Sequence, residues 1–431
     1  MRISLISEHA SPLATLGGVD AGGQNVHVAA LSTALGAQGH DVSVYTRRDS
    51  TALPRECELA PGVRVVHVDA GPPSTVPKDE LLPYMTALAD GIAADWERRP
   101  PEVVHSHFWM SGVAALQAVA QTTGPRPPVL HTFHALGTVK RRFQGLLDTS
   151  PPERETLEPW VGRTVDRVIA TCSDEVFELR AMDVDASRIS IAPCGVDTEL
   201  FSPDGDAEPR GTAVRILCVG RLVPRKGVDT VIAALGRLVA QGLQDVELLV
   251  VGGPSEAGLD SDPEVARLLT LARELGVGDK VTMRGQVEHR RLPALLRSAD
   301  MVVCTPWYEP FGIVPLEAMA CGVPVIASTV GGLVDTVAHG VSGLQVPVRD
   351  VEATAEAMGF LAREQRLARS FGASGRRLVV ARYGWPRIAS LTAACYRESR
   401  RALRDGVLSP PRHTGLLHEL ASGPGLQERA Q

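Results

Sequence analysis

The feature that most restricts how this chain can fold is a rhythm. Short runs of β-branched and aliphatic residues alternate with longer stretches of helical spacing, and the alternation breaks off once and starts again. In the first half the runs fall at residues 2–7, 41–46, 63–68, 103–105, 129–131 and 167–170, each followed by a helical pattern or a Gly/Pro turn. Parallel βαβ units need this order, because a crossover must return the chain to the same end of the sheet before the next strand begins. Residues 25–38 carry apolar side chains at helical spacing and stop at Gly39, a glycine placed to close a helix just before the next run. A further run at 189–193 leads into Cys194-Gly195-Val196-Asp197, and the acidic, Pro- and Gly-containing stretch 201–211 reads as a linker. Beyond Gly211 the rhythm restarts, with runs at 214–219, 246–251, 280–283, 301–305, 324–327 and 344–346 and helical patterns at 230–241, 263–275 and 292–299. The expectation is an α/β protein of two Rossmann-like, doubly wound domains facing a cleft, residues 1–197 and 211–384. A last helix at 385–405 should cross back to the first domain, ahead of a flexible tail at 406–431.

Composition narrows the function. With 431 residues, 44% hydrophobic and 22% charged, the chain can bury two cores and lies far from disordered or fibrous classes. Only 4% of residues are aromatic while Gly (41) and Pro (31) are plentiful, which suits many short turns better than an aromatic-rich sandwich. Forty-four basic against 50 acidic residues give a formal charge of −6, so the footprint of a nucleic-acid binder is missing and any anionic ligand must meet a local cluster. No apolar run approaches the ~20 residues of a membrane span. The alternating N-terminus reaches Glu8 too early for a signal peptide, so a cytoplasmic location is expected. Seven cysteines, an odd number with no CxxC pair, point to reduced thiols rather than disulfides or a structural zinc site.

Four stretches can carry chemistry. The turn Gly17-Gly18-Val19-Asp20-Ala21-Gly22-Gly23-Gln24-Asn25 opens into a helix, where glycines and a helix N-terminus let backbone N–H groups approach an anion; it does not match GxGxxG. Gly220-Arg221-Leu222-Val223-Pro224-Arg225-Lys226-Gly227 follows the first run of the second half, and Arg221 with Lys226 can clamp a diphosphate there. Tyr308-Glu309-Pro310-Phe311-Gly312-Ile313 leads into a short helix through Glu317 to Gly322, so two carboxylates flank one helix N-terminus. Carboxylates accept from vicinal hydroxyls and free amides suit an oxyanion, so this one segment can hold a sugar and a phosphate together. Lastly, His105 and His107 end one strand and His131 and His134 another. No nearby acid completes a chelate, and hydrogen-bonded structural histidines are the favoured reading of His105 and His107.

Taken in order, the Gly loop, the Pro193-Cys194-Gly195-Val196-Asp197-Thr198-Glu199-Leu200-Phe201 hinge, the Arg221/Lys226 pair and the Glu309 to Glu317 segment resemble the retaining glycosyltransferases of family 4, with the GT-B fold, from residue 1 to about 400. The resemblance implies that Arg221 and Lys226 hold the diphosphate of a nucleotide-sugar and Glu317 its ribose hydroxyls. Glu309 and the amides around Phe311, Gly312 and Ile313 would hold the donor sugar. Gly23 would approach the phosphate when the domains close, and His134 would stand near the reacting sugar. It also implies no cofactor beyond the nucleotide-sugar co-substrate, and no metal. Within the family, Asp20-Ala21-Gly22-Gly23 with Asn25-Val26, Gly71 with Lys78, and His105-Ser106-His107 with Trp109 and Ser111-Gly112 resemble the inositol-3-phosphate N-acetylglucosaminyltransferases of mycothiol biosynthesis, with the sucrose-phosphate synthases more distant. That likeness puts Asn25, Lys78 and Arg154 on the acceptor. It departs at two positions, Phe108 for a phosphate-binding Tyr and Ala135 for a Thr, so two hydroxyl donors to an acceptor phosphate are absent.

The leading expectation is therefore a retaining transferase that moves a hexose or N-acetylhexosamine from a UDP- or GDP-sugar to a small acceptor, phosphorylated or not, without metal. The inositol-phosphate and sucrose-phosphate-synthase-like activities stand as alternatives. A sugar-nucleotide-binding protein with a degenerate site and an NAD-type oxidoreductase are the competing classes; intact Arg221, Lys226, Glu309 and Glu317 count against the first. Against the second, Ser43-Val44-Tyr45-Thr46 offers no ribose acid. The expected partners are the nucleotide-sugar and the acceptor, with a homodimer left open and no nucleic acid or membrane segment. Lys226 and Glu309 are expected at an exposed edge.

Overall fold

The computed structural model describes residues 1–13, 22–145 and 148–407. They divide into two compact units, one made of Met1–Pro193 with the described part of Trp385–Gln431, the other of Cys194–Gly384. The strands of the first unit are β1 (Arg2–Ile6), β2 (Asp41–Arg47), β3 (Glu56–Ala60), β4 (Val63–Val68), β5 (Val103–His107), β6 (Val129–Thr132), β7 (Arg167–Ala170) and β8 (Ile189–Ile191). They form one sheet in the order β3-β4-β2-β1-β5-β6-β7-β8. All pairs run parallel except β3 with β4. Edge strand β3 escapes the periodicity reading because Glu56-Cys57-Glu58-Leu59-Ala60 is acidic and mostly half-exposed; the Pro61-Gly62 turn, with Gly62 at φ +77°, folds it back onto β4. Helices α1 (Gly23–Ala37), α2 (Met85–Arg98), α3 (Trp109–Ala120), α4 (Gly137–Gln144), α5 (Arg154–Thr164) and α6 (Ser173–Ala181) connect them. Helix α1 ends as its sequence predicts: Gly39 turns left-handed at φ +80° and His40 N–H returns to the Leu35 carbonyl at 3.2 Å.

In the second unit β9 (Val214–Val219), β10 (Val246–Val251), β11 (Val281–Gly285), β12 (Met301–Cys304), β13 (Val325–Ser328) and β14 (Gly343–Val346) form an all-parallel sheet in the order β11-β10-β9-β12-β13-β14. Its helices are α7 (Val228–Ala240), α8 (Pro263–Glu274), α9 (Leu292–Ser298), α10 (Ile313–Ala320), α11 (Gly332–Thr336), α12 (Val351–Arg363) and α13 (Gln365–Arg382). Strand alternation builds two apolar layers. Ile216 and Cys218 of β9 join Val231, Leu235, Leu248, Val250 and Met301 on one face, whereas Leu217 joins Leu249, Val302, Leu295, Leu316 and Val325 on the other. A sheet covered on both faces needs strands without a polar side, which is why these runs read as continuously apolar.

The last helix, α14 (Trp385–Arg404), belongs to the first unit and packs on α1, with Gln38 Nε2 donating to the Pro386 carbonyl at 2.8 Å. The expected linker at 201–211 is instead held on the second unit. Phe201 is buried in the apolar layer, Arg376 donates to its carbonyl at 2.8 Å, and Arg297 to the Asp206 carbonyl at 2.8 Å. Polarity made this stretch look free; one aromatic side chain and two guanidinium groups anchor it. The break between the units falls at Pro193/Cys194.

Candidate active site

In each sheet strand order reverses beside the first strand, between β1 and β5 in one unit and between β9 and β12 in the other. The crevice at the carboxyl ends of such a strand pair is where open α/β sheets take ligands. In the second unit the loops leaving β9 and β12 carry Arg221 to Lys226 and Glu309 to Glu317, so the topology brings two motifs more than 80 residues apart to one edge, as Lys226 and Glu309 show (|i−j| 83).

Backbone contacts stitch these loops. Gly227 sits at φ +70°, and a β-carbon there would overlap the Thr305 carbonyl, so only glycine permits the approach. Thr305 Oγ1 donates to the Gly227 carbonyl at 2.9 Å, and Trp307 N–H donates to the Arg225 carbonyl at 2.8 Å. Lys226 Nζ and the Glu309 carboxylate form an ion pair, half-buried rather than lying at an exposed edge as expected, because the stitched loops enclose both side chains. Burial opposes ionisation of Glu309, but the Lys226 ammonium, with Arg225 nearby and the Phe311 N–H, outweighs it and holds the carboxyl below its usual range. Gly312 begins α10 at φ +74° with no side-chain cap, flanked by half-buried Phe311 and Ile313. Glu317, 3% exposed, lies within α10 and accepts from His289 Nε2 at 2.7 Å. Burial raises the Glu317 carboxyl, opposed by the hydrogen bond and charge of His289. Arg221 is exposed in the same β9 loop.

The corresponding edge of the first unit is built from histidines. His105 Nε2 donates to Thr132 Oγ1 at 2.9 Å, because Thr132 spends its own proton on the Ile169 carbonyl at 3.1 Å. His105 Nδ1 then accepts from the Tyr396 hydroxyl of α14 at 2.8 Å. His131 Nδ1 meets Ser106 Oγ at 2.8 Å. His107 Nδ1 lies 2.9 Å from His134 Nε2, and the His27 ring of α1 stands 5.1 Å from that of His134. His105 is thus the fully satisfied structural histidine expected, whereas His107 is not, since its Nε2 is buried without a partner among the described residues. Burial keeps all five rings neutral, lowering His27 to about 4 and His131 to about 3 and the other three well below the usual value. His134 and Phe108 are held at φ +62° and +77°, rare for residues with a β-carbon, and such strain concentrates at functional sites.

The remaining acceptor candidates sit differently. Gly23 opens α1 behind Gly22, whose N–H donates to Asn25 Oδ1 at 3.0 Å; Asn25 in turn donates to the Ser11 carbonyl at 3.0 Å. Residues 17–21 of the Gly loop lie outside the described residues. Lys78 is half-buried in a single helical turn, Lys78–Glu80. Arg154 is buried: Nε and Nη2 reach Glu158 at 3.0 and 2.8 Å, Nη2 also donates to the Ala135 carbonyl at 2.6 Å, and its guanidinium lies 5.1 Å from the Phe108 ring. Among the described residues, no three His, Cys, Asp or Glu side chains group to hold a metal ion, and no helix is long and apolar enough to cross a membrane.

Known proteins resemble this chain in sequence and fold. Residues 21–200 match the description "Glycosyltransferase Family 4" and residues 206–378 "Glycosyl transferases group 1". A "D-inositol 3-phosphate glycosyltransferase 2" of Catenulispora acidiphila is 37% identical over 418 residues, covering 94% of this chain and 96% of its own. The chain belongs to glycosyltransferase family 4. A sucrose-phosphate synthase from Thermosynechococcus elongatus superposes with a TM-score of 0.83 at 34% identity, over 93% of this chain and 99% of its own. Anabaena HepE in complex with UDP and glucose shares the GT-B fold, with a TM-score of 0.70 at 18% identity over 92% of this chain and 100% of its own.

Two features of this glycosyltransferase escape its sequence pattern. His289 lies 28 residues before Glu317, with no local spacing to link them. Tyr396 meets His105 from 291 residues away. Glu158 went unread as well, although it carries a local signal: it follows Arg154 by four positions on a helix, where such pairs meet.

Proposed function

We propose that this glycosyltransferase is a cytoplasmic, retaining enzyme that moves a hexose or N-acetylhexosamine from a UDP- or GDP-sugar to a small phosphorylated polyol, without a metal ion. The observation that carries the reading is the meeting of Arg221, Lys226, Glu309, the start of α10 and Glu317 at the switch point of the second sheet. As the bond to the sugar breaks, negative charge gathers on the departing diphosphate. Arg221, the uncapped N–H groups at Gly312 and Ile313, and Lys226, whose ammonium keeps two of its three protons beyond Glu309, offer positive charge to it. That charge can stand in for a divalent cation. Glu309 then accepts from donor-sugar hydroxyls, with Phe311 bordering the same loop, and Glu317 from the ribose. In the first unit, neutral His134 offers a hydrogen bond to the reacting sugar, Gly23 offers its amide to the phosphate, and Asn25 and Lys78 serve the acceptor. The names of two relatives, a D-inositol 3-phosphate glycosyltransferase and a sucrose-phosphate synthase, support the phosphorylated acceptor.

One observation favours a second reading, an acceptor without phosphate at Arg154. That guanidinium is already engaged by Glu158, the Ala135 carbonyl and Ser150 Oγ at 3.2 Å, and Phe108 presents a ring, not a hydroxyl. The test incubates the enzyme in EDTA with UDP- and GDP-sugars and with inositol 3-phosphate, fructose 6-phosphate or unphosphorylated inositol, scoring nucleotide release and product anomer. Release with one donor and a phosphorylated acceptor, with retention, is expected. Turnover only with unphosphorylated inositol favours the second reading, and inverted product or dependence on added metal overturns the mechanism.

A further inference from the structure

His289 stands in the segment between β11 and α9, and nothing in the catalytic reading uses it. Its carbonyl accepts from Leu292 N–H at 3.3 Å where α9 begins, and its ring lies 5.1 Å from that of Phe201. Its Nε2 is 2.7 Å from Glu317 Oε1, and the side chain is 28% exposed against 4% for Glu317. A buried carboxylate thus has a partly solvated imidazole as its contact with the outside.

We propose that His289 is a positioning residue for the nucleotide-sugar: it aims the Glu317 carboxylate at the ribose and, through a proton held by the pair, removes that carboxylate's charge while an anionic donor binds. This rests on the reading of Glu317 as the ribose ligand. Two geometric facts support it. A carboxylate gripped at one oxygen presents the other in a fixed direction, as recognition of a vicinal diol requires. A bare carboxylate close to an incoming diphosphate would also repel it, and no lysine or arginine is paired with Glu317 among the described ion pairs.

Among the neighbouring groups, this pair is the one whose charge can change by a proton. Facing His289 are Glu317 of α10, Asp197 and the uncharged Phe201 ring, with Glu288, Arg290 and Arg291 on its own segment. Around Glu317 stand the thiols of Cys194, Cys304 and Cys321, all raised by burial and therefore neutral. Burial opposes protonation of His289, but the hydrogen bond and charge of Glu317, with Asp197 behind, outweigh it and raise its pKa. Burial raises Glu317 as well, so whichever group carries the proton, the pair keeps it to higher pH than a free histidine. Below that point the pair is neutral; above it the pair carries one negative charge.

The experiment is calorimetric binding of UDP-glucose and of GDP-mannose, donors whose phosphates do not titrate near neutrality, to the full chain from about pH 6 to about pH 9. Wild-type affinity is expected to fall as pH rises through the pair's transition. His289→Ala should weaken binding about tenfold or more at the acidic end, the scale of a lost hydrogen bond to a charged group. His289→Gln keeps an N–H at the Nε2 position and should restore most of the affinity while flattening the pH profile, which a merely structural role would not do; melting curves establish that each variant is folded. His289→Ala binding like wild type, or His289→Gln keeping the wild-type pH slope, overturns the proposal and leaves the donor site standing. Binding unchanged in Glu317→Gln removes the ribose role and the proposal together, and a wild type that binds neither donor overturns the proposed function itself.

Discussion

The two sheets reverse strand order in the same way, yet the edges they present are opposites. The first unit gathers five buried, neutral histidines and two strained residues. The second gathers charges that answer one another: Lys226 with Glu309 and His289 with Glu317. Burial explains the difference. A histidine can give up its charge near neutral pH and enter a core as a hydrogen-bonding ring, whereas lysine and glutamate keep theirs only with a partner. On the proposed function, the edge that would handle a diphosphate needs standing charge, while the one that would guide a hydroxyl acceptor needs directed hydrogen bonds.

The largest effect should come from breaking the charged edge. Glu309→Gln or Lys226→Ala is expected to lower turnover by about 10²–10³-fold, the scale for removing one preorganised contact to developing charge. Lys226→Ala also strands a half-buried carboxylate, so Glu309→Gln is the cleaner variant. Near-native rates for a folded Glu309→Gln on a confirmed donor would remove this edge from the chemistry.

A second, intermediate effect tests the neutral edge. The five histidines have folded pKa values depressed below the ordinary 6.5, so protons favour the unfolded chain. Their contribution is intact above 6.5 and is lost as pH falls from there towards about 4, the value for His27. Glu158 and Glu175, raised by burial, pull the other way but are only two. Hydrogen exchange followed from neutral to mildly acidic pH should therefore show β5 and β6 losing protection before β9 and β12. Simultaneous loss would mean that the histidines are not the weak point.

The smallest effect sharpens the division of labour. Phe108→Tyr supplies a hydroxyl beside Arg154 and should lower KM for a phosphorylated acceptor a few-fold, about the worth of one net hydrogen bond, without moving donor affinity. A change in donor affinity would show that the first edge also serves the nucleotide.

Much of this was legible in the chain. Apolar runs between turn residues placed most strands within one or two residues, because strands covered on both faces tolerate no polar alternation. The exception was β3, whose acidic, half-exposed residues carry no such constraint. Lys226, Glu309 and Glu317 were legible because glycines and a short helix mark them locally. Their company was not: His289 and Tyr396 join their partners from other elements.

By itself, then, the sequence determined the α/β class, the two-fold repeat of the sheet and the residue types at the carboxyl edges, all consequences of periodicity and turn chemistry acting over a few residues. Only the tertiary structure decided which charges are paired between elements and which histidines are neutral. Those outcomes depend on burial and on contacts such as that of His105 with Tyr396, 291 positions apart, and neither is written in any local stretch of chain.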